Sequence, residues 1–456
     1  MTATASFEHT LASRLSGDLY LPGDEGYALS TPWNVAVQRA PRAVIAAASA
    51  VDVVETVRFA AAHGLRVAVQ RTGHGAVEIG EDVLLVHTAR LDECVLDLPS
   101  RTVRVGAGVL WQEVLDVATP HGLAPLVGSS PNVGVVGFLT GGGIGPLVRS
   151  YGLSADYIRS FDVVTGDGSL LHVTPERHAE LFWGLRGGKG TLGIVTSVEI
   201  ELVELSSFQG GTLYFDGADA PAVLHAWRAA CVDLPDHTST SVALLQLPPL
   251  PAVPAPLAGR MTVAVRVASI AGPAEVDALV APLLAVATPI LGGMGEVPYS
   301  AIASLHADPV DPMPTHEASG LLRELSAEAI DALLSVAGPG SGSVQTVVEL
   351  RLLGGGLRWR TPYRSAFCHR EAAANLAVIG VLAPPVATAV PGHAAAVMEA
   401  VAPWATGGVL PNFAPSADPD VHARCYDAAT RHWLGALAEH HDPQGVLRVG
   451  QVIRGR

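Results

Sequence analysis

Apolar positions change period along the chain. Residues 43–47 form a short apolar run. From Ser49 to Ala62 the apolar residues fall at Val53, Val54, Val57, Ala60 and Ala61, which is helical spacing. Ser49 with Asp52 three residues on predicts a capping box, and Gly64 a C-terminal stop. Segments 67–70, 83–86 and 102–105 read as strands bounded by turn residues, and 110–118 as an amphipathic helix. Beyond about 205 the pattern shifts. Residues 261–270 alternate like a half-buried strand, as do 344–353, where Glu349 and Arg351 are two apart and share a face. Residues 375–382 form a further apolar strand. Helical spacing returns at 274–281 and 327–337, and again at 421–440, ahead of Asp442-Pro443. The pattern predicts an α+β chain: a mixed lobe over 1–205, an antiparallel sheet flanked by helices over 206–400, and a segment over 401–456 returning to the first lobe.

Composition narrows the class. The chain has 456 residues, 49% hydrophobic and 16% charged, enough to bury a large core. Its net charge of −15 opposes nucleic acid and anionic lipid, and there is no basic run to offset it. No apolar window approaches a membrane span, and residues 1–10 carry no basic or apolar export signal, so a cytoplasmic location is expected. Cys94, Cys231, Cys368 and Cys425 are scattered without metal spacing and are expected to be reduced thiols. The His440-His441-Asp442 cluster sits at a helix end, where imidazolium favours the helix C-terminus more readily than a metal, so no metal is expected.

Four glycine-bearing segments crowd the first lobe: Gln70-Arg71-Thr72-Gly73-His74-Gly75, 128–134, 137–145 and 187–193. Ordinary turns would explain any one. Four together, each beside an apolar element, suggest backbone N–H groups presented to a large anionic cofactor. The literal GxGxxG at 188–193 lacks the helix that a nicotinamide dinucleotide fold requires, because 194–202 is strand-like. Lys189 is followed by Gly190 rather than Ser or Thr, so this is no P-loop.

On these residues the chain resembles the berberine bridge enzyme-like FAD-linked oxidoreductases of the vanillyl alcohol oxidase / p-cresol methylhydroxylase (PCMH-type) superfamily. The resemblance is carried by Gly73-His74, by the run from Ser130 to Gly145, and by Tyr151-Gly152-Leu153-Ser154-Ala155-Asp156. Residues 181–195 and the Asp442 to Arg448 stretch complete it. It implies a two-domain fold with FAD held by the first lobe and the return segment. It further implies cofactor contacts at Arg71, Thr72, Gly73, His74, Gly75, Ser129, Ser130, Val133, Gly134, Gly137, Gly141, Gly142, Asp156, Gly193, Val195, Asn412 and Gln451. His74 would be joined covalently to the flavin. Some members add a cysteine thioether at the position of Ser130; a hydroxyl does not replace that thiolate, so no second link is expected.

The chain also departs from the family pattern. Gln70 and Thr72 stand where Arg and Gly are usual, and Leu410 takes the place of a tyrosine that often serves as base, two residues before Asn412. Glu349, His369 and Tyr363 are the remaining candidates for acid–base chemistry, with Asn412 beside them. A structural ion pair is the bland alternative for Glu349 with Arg351. The implied activity is oxidation of a small organic substrate by hydride transfer to flavin N5, with O2 as acceptor. A redox-neutral, flavin-scaffolded cyclisation or isomerisation is the alternative, and a flavin-holding binding protein a third. With aromatics at only 5%, a polyketide, terpenoid or alkaloid-like metabolite is favoured over an oligosaccharide. Oligomeric state is left open.

Overall fold

The computed structural model describes residues 9–359 and 361–454. Most of the 1–10 stretch, on which the expectation of no export signal rests, lies outside the described residues. The first lobe opens with β1 (Asp18–Tyr20), β2 (Ala43–Ala46), β3 (Arg66–Gln70) and β4 (Val83–His87). They assemble in the order β1-β2-β4-β3, parallel except at β1. Helix Ala50–His63 makes the crossover from β2 to β3. Its capping box is present as read: the Ser49 side chain accepts from the Asp52 N–H, and Gly64 closes the helix at φ 65°. Its buried face, with Val53, Val57, Phe59 and Ala60, packs in one core with Ile45 and Val67.

An antiparallel sheet follows, made of β5 (Cys94–Asp97), β6 (Thr102–Gly106), β8 (Ile158–Val164), β9 (Leu170–Val173) and β10 (Ile194–Glu201) in the order β5-β6-β10-β8-β9. A short ladder pairs β7 (Leu123–Ala124) with β11 (Val203–Glu204). Trp111, Phe161 and Phe182 fill the core beside this sheet.

The rest of the molecule centres on one antiparallel sheet of β12 (Ser207–Asp216), β13 (Thr238–Gln246), β14 (Met261–Ser269), β15 (Leu291–Pro298), β16 (Thr315–Leu322), β17 (Val347–Leu352) and β18 (Ala374–Val381). The order is β15-β12-β14-β13-β17-β18-β16. Helices Ala220–Ala230, Pro273–Val286, Ala327–Ala337 and Val390–Ala400 supply the apolar residues that cover one face. The expectation of a half-buried strand at 261–270 needs correction: β14 is buried on both sides. Its second face is roofed by the first lobe, where Arg149 reaches across to the Thr238 carbonyl at 2.8 Å, and by the 3-10 turn Tyr299–Leu305.

The helix read over 421–440 is two, Pro419–Cys425 and Ala428–His441. Asp427 starts the second by accepting the Thr430 N–H at 2.7 Å, which forces the break. After it the chain returns to the first lobe, where Val446 and Leu447 enter the core with Ile45 and Val67. Asp442 is buried and accepts the Val446 and Leu447 N–H groups, so it turns away from a shared site with His440 and His441. All four cysteines are free. Among the described residues no helix is long and apolar enough to cross a membrane.

Candidate functional site

β3 ends at Gln70 and the chain turns through Gly73, which has φ 76°. A Cβ there would lie 2.6 Å from Pro32, so the turn needs both the left-handed backbone and the missing side chain. This swings His74 out beside Trp33, with ring centroids 4.8 Å apart and planes 14° from parallel. Thr72 Oγ1 lies 2.8 Å from His74 Nδ1 and fixes the ring. Burial, opposed by the Asp308 carboxylate, lowers the imidazole to about 4, so the ring is neutral near pH 7. Gln70 packs its side-chain oxygen against the Gly73 turn, 3.0 Å from where a Cβ would sit. Its amide donates to the Leu29 and Thr31 carbonyls and accepts from Arg39, tying the entering segment to β3.

The other glycine segments gather around it. Arg71 donates to the Gly108 carbonyl, and its side chain lies against Gly134. Lys189 donates to the Gly137 carbonyl and to Asn412 Oδ1, and Asn412 Nδ2 donates to the Phe138 carbonyl at 2.8 Å. Gln451 donates to the Pro411 and Ala414 carbonyls and so holds the Asn412 turn from behind. Gly141 and Gly142 are packing positions. A Cβ on Gly141 would strike Asn412, and one on Gly142 would strike Phe367. Gly193 likewise makes room for Val163, and Val195 is a buried partner of Val163 on β8. By contrast, a Cβ on Gly75, Gly137 or Gly190 would meet nothing within 4 Å. Along the same rim the N–H groups of Thr72, Gly73, His74, Gly75, Ser129, Ser130, Asn132 and Gly134 donate to no described protein group.

Other residues singled out by motif sit elsewhere. Asp156 does not face the rim; it is a buried clasp, 2.7 Å from Arg370 and 3.3 Å from Arg186. Tyr363 is 46% exposed and bonds Glu176 at 3.4 Å. His369 bonds the Arg424 carbonyl at 3.0 Å, bracing the C-terminal segment. The structure therefore does not gather Glu349, His369 and Tyr363 into one site. Leu410 is fully packed among Ile144, Leu321 and Phe367.

Glu349 is buried on the face of β17 turned toward the first lobe. It lies 3.2 Å from each of Arg266, His306 and Arg351. Burial alone would raise its carboxyl, but Arg351, His306 and Arg266 outweigh that and hold it well below the usual carboxylate range. Burial and Arg266 push His306 down, toward the neutral ring, against the pull of Glu349. A carboxylate so held is a poor proton acceptor, and the neutral imidazole beside it is the better one. Arg266 had one sequence signal, a lone charge in an otherwise apolar strand. His306 and Trp33 had none, because each gains its place only from nonlocal contacts. Lys189 was visible only as a failed P-loop.

With this geometry in place, known proteins show what the chain is similar to. Residues 41–174 match the FAD binding domain family. Over 200 residues the chain is 32% identical to (R)-6-hydroxynicotine oxidase of Paenarthrobacter nicotinovorans, covering 43% of this chain and 44% of that one. It is 29% identical over 217 residues to an FAD-dependent monooxygenase of Penicillium roqueforti, covering 46% and 42%. The chain thus spans less than half the length of the curated relatives it matches. Among solved structures, BBE-like 1 of Physcomitrella patens superposes with a TM-score of 0.84 at 19% identity, covering 99% and 100% of the two chains. For 6-hydroxy-D-nicotine oxidase from Arthrobacter nicotinovorans the TM-score is 0.82 at 23% identity, covering 96% and 98%. The resemblance read from the motifs is borne out. Residues 41–174 thus resemble an FAD binding domain, and the chain has the fold of the berberine bridge enzyme-like and PCMH-type oxidases. The rim suits that cofactor: consecutive free N–H donors match a pyrophosphate, and bare glycine backbone admits close approach.

Proposed function

We propose that the protein is an FAD-dependent oxidase of a small organic molecule. Residues 1–205 with 401–456 would form the cofactor lobe, and 206–400 the substrate lobe. The observation that carries this reading is the run of four consecutive unpartnered N–H groups from Thr72 to Gly75, with a neutral, ring-stacked His74 in its midst. Bound FAD would supply the hydride acceptor at N5 and pass the electrons to O2. The chain's own tasks follow from its side chains. The N–H groups of 72–75 and 129–134 hold the diphosphate. His74, already unprotonated, offers its ring nitrogen for a covalent link to the flavin, and Ser130 offers no second one. Asn412, braced by Lys189 and Gln451, shapes the wall beside Gly141. His306, oriented by Glu349 and Arg351, takes the substrate's O–H or N–H proton.

Purified protein should be yellow, and its colour should stay with the polypeptide after acid precipitation. A tryptic peptide containing His74 should carry the flavin mass, and His74→Ala should release the flavin on precipitation. Colourless protein that takes up no added FAD refutes the reading; colour lost to the supernatant refutes only the covalent link. Leu410, sealed in an apolar cluster, favours a second reading in which the flavin is a scaffold for redox-neutral chemistry. Anaerobic conversion of substrate without bleaching of the flavin band would select it.

A further inference from the structure

The inner face of the large sheet carries one cross-strand row of polar residues: Thr212, Arg266, Ser241, Arg351 and Asn375 on five adjacent strands. All five are buried. Two guanidinium groups therefore stand one strand apart on either side of Ser241, about 10 Å between backbones. Glu349 bridges them as the cluster's single carboxylate, and His306 beside it is the neutral partner. The cluster is left with one uncompensated positive charge out of water, which is costly unless an anion completes it.

The unused donors have a common target. Arg351 spends only Nη2 on protein acceptors, leaving Nη1 and Nε; Arg266 leaves Nη2. Ser241 Oγ is a further buried donor without a partner, whereas the unpartnered His306 Nδ1 is the acceptor nitrogen that a ring donating Nε2–H to Glu349 leaves open. Gly145, Pro146, Ser241, Arg266, His306 and Arg351 line one cavity between the sheet and the first lobe. Guanidinium pairs carboxylate through two parallel hydrogen bonds, and a single negative charge balances the single excess positive one. A dianionic phosphate would overcompensate it. Resting on the assignment of this lobe to the substrate, we propose that the cavity binds a carboxylate of the substrate between Arg266 and Arg351, so that the substrate is a small organic acid.

The test uses the purified holoprotein with acetate and benzoate against their neutral isosteres acetamide and benzamide at constant ionic strength. Binding is followed by perturbation of the flavin band and by thermal shift. The carboxylates should bind saturably and at least about tenfold more tightly than the amides. Arg266→Met and Arg351→Met should each weaken benzoate binding by about tenfold while flavin content holds, with Arg351→Lys intermediate. Equal binding of acids and amides, or binding of neither, overturns the proposal. So does loss of flavin from the Met variants with benzoate binding unchanged, because the cation pair would then serve the cofactor. If a Met variant does not fold, the acid–amide discrimination of the unaltered protein still decides. Colourless protein refutes the flavin reading instead, and thermal shift reports carboxylate binding without colour.

Discussion

The two faces of the seven-stranded sheet are written by the same residues read in alternation, and they are opposites. On one face Val242, Val263, Val265, Leu350, Leu376 and Val378 bury against four helices. On the other, Ser241, Thr262, Arg266, Glu349, Arg351 and Asn375 are just as buried. Ser241, Thr262 and Asn375 each keep a polar atom without a partner there. The helical face gains stability from area removed from water. The inner face gives some of that up, and such a cost is retained where a surface has to bind something.

That contrast can be broken or sharpened experimentally. The largest effect is expected from Glu349→Ala, which strands two buried guanidinium groups. It should cost about 3–5 kcal/mol in urea unfolding and abolish turnover. On the helical face, Leu376→Ala should cost about 2–5 kcal/mol through cavity formation, with flavin content unchanged. The two should part company with pH. The depressed Glu349 carboxyl contributes stability that is full above its unfolded value of about 4.5 and is lost as pH falls through its lower folded value. The penalty of Glu349→Ala should therefore shrink on acidification, while that of Leu376→Ala should not. If both penalties stay constant, the ion cluster is not formed. Smallest of all, Ser241→Ala removes an unpartnered hydroxyl and should change stability by less than about 1 kcal/mol, in either direction. A large loss there would mean that the hydroxyl has a protein partner after all.

Much of the architecture was legible in the chain because it depends on neighbours in sequence. The capping box at Ser49 and Asp52, the stop at Gly64 and the strand around Glu349 are local patterns. The glycine loops were legible for the same reason, since a turn without side chains declares itself. Their uses were not. Gly141 and Gly142 look like ligand-facing glycines but make room for Asn412 and Phe367, residues more than 200 positions away. Asp156 reads as part of a cofactor motif and is spent on Arg186 and Arg370.

The amino-acid sequence by itself determined that Glu349 and Arg351 share a face, because side chains on a strand alternate with period two. It also placed His74 between two glycines, in a loop directly after a strand. Only the tertiary structure decided that Arg266 and Ser241 lie across from Arg351, that His306 closes the cluster, and that Trp33 stacks on His74. Those meetings depend on the register and order of strands distant in the chain, which long-range pairing sets and no local pattern encodes.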